Sequence, residues 1–448
     1  MQHPALIPSA PLPQPRHGAH RNQVLRTFYP WYVLGILWLV ALFRFIDLQI
    51  LAVLLEPIKA EFLLSDTQLA LLGGFAFAVF YGGLGLPIAW LADRYSRKTI
   101  IALAISLWSV MTCLCGQASS FASLFIARMG VGVGEAGAYP PSTALLADYF
   151  PPWQRSRVFA VLASAIPCGV FCGFLIGGTA SQWWGWRTAF QIVGLPGILL
   201  GLVVYCTVRD PVRGQLDTNM SQTDSDWQST MRLLWQNPNY RWLVAGACLY
   251  TMGAYGSGVW LPAYFIRHHG FNAAEIGVWM AGLYGGGGLL GTLGGGWLAT
   301  RLQSKGVADG NCWVSGYSLL LALPLLPMVL LWEDPVAALI VHGGVTILMH
   351  MNIGPVLAQI QQLAAPHQRA MAQAISVLVS NLLALSLGPL AVGMFSDYAG
   401  NRFGSSTLGI GILLLLLVCW LAAAQCFHRA ARQAPTLIQG LRVASHSH

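Results

Sequence analysis

Twelve apolar runs of 19 to 29 residues follow one another along this chain, and almost every charged residue falls between them. One crossing of a hydrocarbon bilayer core needs about 20 such residues as a helix. The runs are Tyr29 to Leu55, Gln68 to Ala92, Thr99 to Gln117, Phe121 to Ala147, Val158 to Gln182, Thr188 to Val208, Trp242 to Ile266, Ala274 to Ala299, Cys312 to Trp332, Pro335 to Leu363, Met371 to Ser396 and Ser406 to Phe427, here numbered spans 1 to 12. With 56% of residues apolar and 9% charged, against about 45–50% and about 25% in soluble proteins, a water-soluble fold is excluded. The longest polar stretches are residues 1–28, Arg209 to Arg241 and the tail after His428, all too short for a catalytic domain. Whatever the chain does, it does in the bilayer.

The placement of the cations sets an expected orientation, because lysine- and arginine-rich loops stay cytosolic. Eighteen fall on one side, among them Arg94, Arg97, Lys98, Arg155, Arg209 and Arg301, and four on the other: Lys59, Arg187, Arg267 and Arg402. Both termini are therefore expected in the cytosol, with the +8 net charge explained by topology and by attraction to lipid headgroups. The basic residues form no patch interleaved with aromatics, so nucleic acid is not an expected partner. Nine cysteines, almost all inside apolar runs and without a C-x-x-C pair, read as small hydrophobes, not as disulfides or metal ligands. The first 28 residues lack the apolar core of a secretory signal and are expected to be a disordered cytosolic tail.

An internal repeat divides the chain. Leu91-Ala92-Asp93-Arg94 recurs 207 residues later as Leu298-Ala299-Thr300-Arg301, and the same offset carries the capping box Ser65-x-x-Gln68 onto Asn272-x-x-Glu275. The expected organisation is a tail (1–28), a six-helix bundle (29–208), a cytosolic linker (209–241), a second six-helix bundle (242–428) and a tail (429–448). Parallel repeats of this kind suit a transporter whose site lies between the halves.

Four ionisable residues lie deep inside spans, and all belong to the first half: Arg44, Asp47, Arg128 and Glu135. Each costs about 2.5–3.5 kcal/mol at mid-bilayer on insertion scales, so such residues face a cavity or a partner. Arg128 and Glu135 are about 10 Å apart along one helix face, Arg44 and Asp47 about 4.5 Å. With span 1 running outward and span 4 inward, Arg44 can pair with Glu135 and Asp47 with Arg128. The four charges sum to zero, so a proton taken up by either acid frees an arginine, which can grip a phosphate or carboxylate through two parallel hydrogen bonds. The alternative is a static pair of salt bridges, although buried ion pairs stabilise poorly compared with apolar packing. Glu135 and Asp47 are the proton-coupling candidates, Arg44 and Arg128 the anion-binding ones. The second half offers His342, His350 and Asn352 in span 10, Asn381 in span 11, and Trp260 and Tyr264 near the outer end of span 7. Of these, Trp260, Tyr264, His350 and Asn381 complete the expected substrate-binding set. His342 and His350 diverge by about 80° around their helix, which argues against a shared metal site. The Gly-x-Gly-x-Gly run in span 4 follows no strand, so it is no nucleotide loop.

Asp93-Arg94-Tyr95-Ser96-Arg97-Lys98, between spans 2 and 3, resembles the signature loop of the major facilitator superfamily, and the resemblance extends over the twelve-span layout. It implies an all-α membrane protein of two pseudo-symmetric six-helix bundles, with gating by Asp93, Arg94, Arg97 and Asp148. The chain departs from the pattern at Ala89, usually glycine, and at Thr300, which replaces the acid of the second copy. Ile126-Ala127-Arg128-Met129-Gly130-Val131-Gly132-Val133-Gly134-Glu135-Ala136-Gly137, together with Phe45-Ile46-Asp47, Ser164-Ala165-Ile166-Pro167-Cys168-Gly169 and Gly185-Trp186-Arg187, resembles the spinster-like branch. That branch implies a proton-linked secondary transporter of lysophospholipids or phosphorylated sphingoid bases. Its members usually carry an arginine directly after the span 1 aspartate, whereas this chain has Leu48 there and Arg44 one turn earlier.

The expected function is alternating-access transport of an amphipathic or lipophilic anion, working as a monomer without cofactor in a bacterial inner membrane. The alternative is a symporter for a small organic anion such as a sugar acid. A membrane-embedded enzyme or receptor is a third possibility, but H-x-x-x-H, H-E-x-x-H and G-x-S-x-G are missing from suitable places. A reporter active only in the cytosol should signal when fused after His448 and stay silent when inserted at Glu333 to Pro335; signal at the second site would reverse the orientation.

Overall fold

The computed structural model describes residues 17–212, 227–307, 309–364 and 368–445, and every regular element among them is a helix. Among the described residues, nine helices are long and apolar enough to cross a bilayer. They correspond to twelve spans for three local reasons. Spans 5 and 6 run together within Ala165–Thr207, where the chain turns at Gly185 with a φ of +83°, a conformation glycine adopts without strain. Span 4 is divided into Phe121–Ala136 and Tyr139–Tyr149, because Pro140 and Pro141 have no amide hydrogen to continue the ladder. Span 7, Pro238–His269, is long enough, but glycines and tyrosines dilute its hydropathy.

The first and last helices, His17–Phe62 and Thr407–Ser445, run past the expected span ends, and a short helix, Trp227–Gln236, precedes span 7. Parts of the expected tails (1–16, 446–448) and of the expected linker (213–226) lie outside the described residues.

The halves repeat one another in detail. Both capping boxes form: Ser65 Oγ accepts from the Gln68 amide at 3.2 Å while Gln68 accepts from the Ser65 amide at 2.9 Å, and Asn272 and Glu275 do the same at 2.9 and 3.0 Å. The spans that these boxes start each contain a wide π-helical turn, Leu71–Phe75 in span 2 and Ala281–Gly287 in span 8. Span 11 has a third, Ser380–Ala384. Span 10 is interrupted between Pro335–His350 and Ile353–Leu363, as span 4 is in the first half.

Between the halves, spans 5 and 8 cross backbone to backbone. A Cβ on Gly178 would sit 3.0 Å from the Gly277 Cα, and one on Gly277 3.1 Å from the Gly178 Cα, so neither position has room for a side chain. On the side opposite the two described chain ends, here the far side, the seam is sealed by charge. Arg267 of span 7 donates to both oxygens of Asp66 at 2.7 and 2.8 Å and to Glu56 at 2.7 Å. Lys59 and the Ser396 hydroxyl of span 11 also reach Asp66, each at 2.6 Å. Asp397 returns the tie, accepting from the amides of Asp66 and Thr67 at 2.9 and 2.8 Å. Fork-to-carboxylate bonds of this type are the strong, directional ones, so the far side is closed.

Replacing Arg267 by Gln removes the cation that the other half supplies to Glu56 and Asp66, leaving Asp66 only Lys59 of its own half. With spin labels at the exposed positions Leu63 and Tyr398 (89% and 79% exposed) on a cysteine-free background, R267Q should show a longer far-side distance population, enriched about tenfold for each ~1.4 kcal/mol lost. A distance distribution identical to that of the parent would mean that the ion pairs do not hold this side shut.

Candidate functional site

Spans 1, 3 and 4 bring the four intramembrane charges of the first half together. Arg44 Nε lies 3.0 Å from Glu135 Oε2, and Arg128 Nη1 lies 3.5 Å from Asp47 Oδ2. All four are buried, Glu135 completely. The two acids are held differently. Asp47 accepts from Thr112 Oγ1 of span 3 at 2.7 Å as well as from Arg128. Neither oxygen of Glu135 is in an aligned hydrogen bond, and the Arg44 Nε–H also points off line despite the short distance. The contact is Coulombic, and the carboxylate of Glu135 is the less well satisfied of the two. The acids also interact with one another electrostatically.

The break in span 4 adds to this arrangement. Phe121–Ala136 ends one residue beyond Glu135, so the carbonyl-rich end of that half-helix lies at the site and favours a cation beside it. Arg44 fills that place. Its guanidinium also sits over the rings of Tyr81 at 4.9 Å and Phe45 at 5.0 Å, cation–π contacts that stabilise it away from water. A small cavity of about 10 Å³ borders Arg44, lined also by Leu37, Ala138, Tyr139, Ser142 and Leu162.

From the second half, Tyr255 of span 7 interacts electrostatically with Arg128, Glu135 and Arg44. It was not among the sequence candidates. The signal was present in the repeat, since the offset of 207 that joins the capping boxes carries Leu48, next to Asp47, onto Tyr255. The other second-half candidates divide. His342 and His350 flank the ring of Tyr284 in span 8, with centroids 5.7 and 6.3 Å away. Asn352 is buried at the span 10 break, its amide donating to the Met349 carbonyl at 2.6 Å, and Asn381 is part-exposed in the π-turn of span 11. Trp260 and Tyr264 stand apart from the charge cluster. Their polar atoms are spent on the Pro389 and Leu330 carbonyls at 2.9 and 2.6 Å, and both side chains are buried in the far-side packing.

Of the expected gating residues, Arg97 and Asp148 form an ion pair that ties the loop after span 2 to the end of span 4, within the first half. Arg94 stacks on Trp90 at 3.8 Å, and the Asp93 side chain lies outside the described residues. The matching place in the second half is held by two amides and one carboxyl group. Gln359 of span 10 donates to Asp309 and accepts from Asn311, both at 3.0 Å, while burial raises the Asp309 carboxyl above its ordinary range.

A profile of the Major Facilitator Superfamily matches residues 37–389. An MFS-type efflux pump of Mycolicibacterium smegmatis is 33% identical over 93% of this chain and 94% of its own. A cis,cis-muconate transport protein of Acinetobacter baylyi is 29% identical over 53% of this chain and 59% of its own, and a sphingosine-1-phosphate transporter of Danio rerio is 29% identical over 54% and 49%. The solved structure of a bacterial homologue of the human lysosomal transporter Spinster, inward-facing and occupied, superposes with a TM-score of 0.79 at 28% identity, covering 90% of this chain and 97% of that one.

Positions 44 and 48 are one helical turn apart, so an arginine at either can send its head group to the same region. Transport should be lost in R44N and restored in measurable part by R44N with L48R. Full transport by R44N alone would reduce Arg44 to a structural partner.

Proposed function

The chain belongs to the Major Facilitator Superfamily, most like its spinster-like branch, and is a transporter and not an enzyme; from that premise we propose that it moves a lipophilic or amphipathic anion, such as a lysophospholipid, coupled to protons. The observation that carries this is the charge cluster itself: two arginines and two carboxylates, buried, summing to zero, in the first half only.

A low-dielectric site tolerates ions only when they balance. Empty and deprotonated, the cluster is neutral. A proton on Glu135 leaves Arg44 without its counter-charge, and an anion bound to Arg44 restores the balance. The halves can therefore close over the site in either neutral state and not over the charged one, which links the movement of the anion to that of the proton. Glu135 is the better proton carrier because its carboxylate lacks the aligned partners that hold Asp47. Arg128, paired with Asp47, supplies a second guanidinium when Asp47 is protonated.

With the basic side taken as cytosolic, the sealed far side is the outer one, as an inward-facing state requires. Arg97 and Asp148 are then the cytosolic gating pair, with Arg94 beside them. In this arrangement the protein works as a monomer in a bacterial inner membrane, with both termini in the cytosol. Cargo named for the relatives is anionic at both ends of the size range, a sphingoid phosphate and a small dicarboxylate. The muconate relative favours a small organic anion as the second candidate, and competition by micromolar lysophosphatidate against labelled glucarate separates the two.

Glu135→Gln should bind cargo and exchange it downhill, since the amide resembles the protonated acid, while uphill pH-driven movement falls to background. D47N should show a weaker form of the same defect because the acids are coupled. Wild-type pH dependence in E135Q would remove Glu135 from the coupling role.

A further inference from the structure

Tyr284 occupies the π-turn of span 8 and is more than nine-tenths buried, yet no group among the described residues accepts from its hydroxyl. Its ring is well placed. Phe174 of span 5, from the other half, stacks on it at 5.6 Å, and the imidazoles of His342 and His350 stand at 63° and 73° to its plane. The hydroxyl points towards span 7, 3.7 Å from where a Cβ on Gly258 would lie. A buried hydroxyl without a partner is unfavourable, and phenylalanine would fill the same space without that cost. Wide turns of this kind, which cost helix hydrogen bonding, are common where a helix carries function.

Beside this donor stands an acceptor. His350 Nδ1 lies 2.8 Å from the Thr346 carbonyl, which can only accept, so Nδ1 carries the hydrogen. In the neutral ring Nε2 is then left as a lone-pair acceptor. It faces span 8 one turn after Tyr284, 3.3 Å from where a Cβ on Gly288 would lie. A donor on span 8 and an acceptor on span 10, their rings 6.3 Å apart, can between them serve one hydroxyl group, which accepts one hydrogen bond and donates another.

Span 7 connects this place to the charge cluster. Tyr255 interacts with the cluster, and Gly258, which the Tyr284 hydroxyl approaches, lies three residues further on, about 4.5 Å along the helix. We propose that Tyr284 and His350 form a second binding subsite, which reads a hydroxyl group on the anionic cargo while the arginines of the first half hold its charge. The proposal rests on the anion-transport function above and narrows it to hydroxyl-bearing anions, whether sugar acids or glycerol-based lysolipids.

The test uses two pairs of probes that differ only in hydroxyl groups: galactarate against adipate, and 1-acyl lysophosphatidate against its 2-deoxy analogue. Binding is measured to the full-length wild type and to Tyr284→Phe, which keeps the stack on Phe174. Wild type should prefer the hydroxylated member of one pair by tenfold or more, the pair identifying the cargo source, and Y284F should bring that preference close to parity. The melting temperature of Y284F should not fall, since the hydroxyl makes no bond inside the protein. Equal wild-type affinity within both pairs, a preference unchanged in Y284F, or a marked drop in its melting temperature would each overturn the subsite. Failure of the wild type to bind any of the four anions would overturn the anion-transport function, and the subsite with it.

Discussion

The cost of holding charge in a hydrocarbon-like interior governs this molecule. Asp47 and Glu135 are tolerable only because Arg128 and Arg44 stand within 3.5 and 3.0 Å, and each arginine only because of its acid and the surrounding rings. Much of the first half serves that balance: Thr112 from span 3, Tyr81 and Phe45 around the guanidinium, and a span 4 that breaks just after Glu135. Any movement of the halves has to respect the same balance, which is why a cluster with an imperfectly satisfied acid suits a coupled machine better than a static brace.

The two halves share a helical plan and differ in chemistry. Their caps, the π-turns of spans 2 and 8 and their mid-span breaks correspond, but the first half carries the buried charges and the second answers with tyrosines, histidines and amides. Even the ties on the basic side follow this division, Arg97–Asp148 in one half and Asp309–Gln359–Asn311 in the other. Charge between the halves is concentrated at the far side, where Arg267 bridges Glu56 and Asp66.

Features written in local sequence were legible in advance. Helix periodicity hardly matters when a run is apolar on all sides, so spans could be read from length alone, and capping boxes from side chains three residues apart. The charge pairs were legible because an ionisable group inside a span must find a partner, and few were available. What depended on tertiary geometry was not legible. Arg267 entered the charge count only as an exception on the sparsely charged side, because nothing near it in sequence points to Asp66, 201 residues away. Trp260 and Tyr264 looked like cavity residues by composition, but backbone carbonyls on other helices take up their polar atoms. The π-turns also left no trace, since each is one extra residue accommodated by packing.

The spacing of the charge cluster along the chain has a consequence for biosynthesis. Asp47 and Arg128 are 81 residues apart, so span 1 leaves the ribosome well before span 4 exists. At about 5–20 residues per second, span 1 waits roughly 4–16 s with Arg44 and Asp47 neutralised only by one another, one turn apart on the same helix. The crossed pairs with Glu135 and Arg128 can form only once span 4 is in place. A membrane insertase that releases span 1 early must release it with both charges present, because either alone would have no counter-ion during the wait.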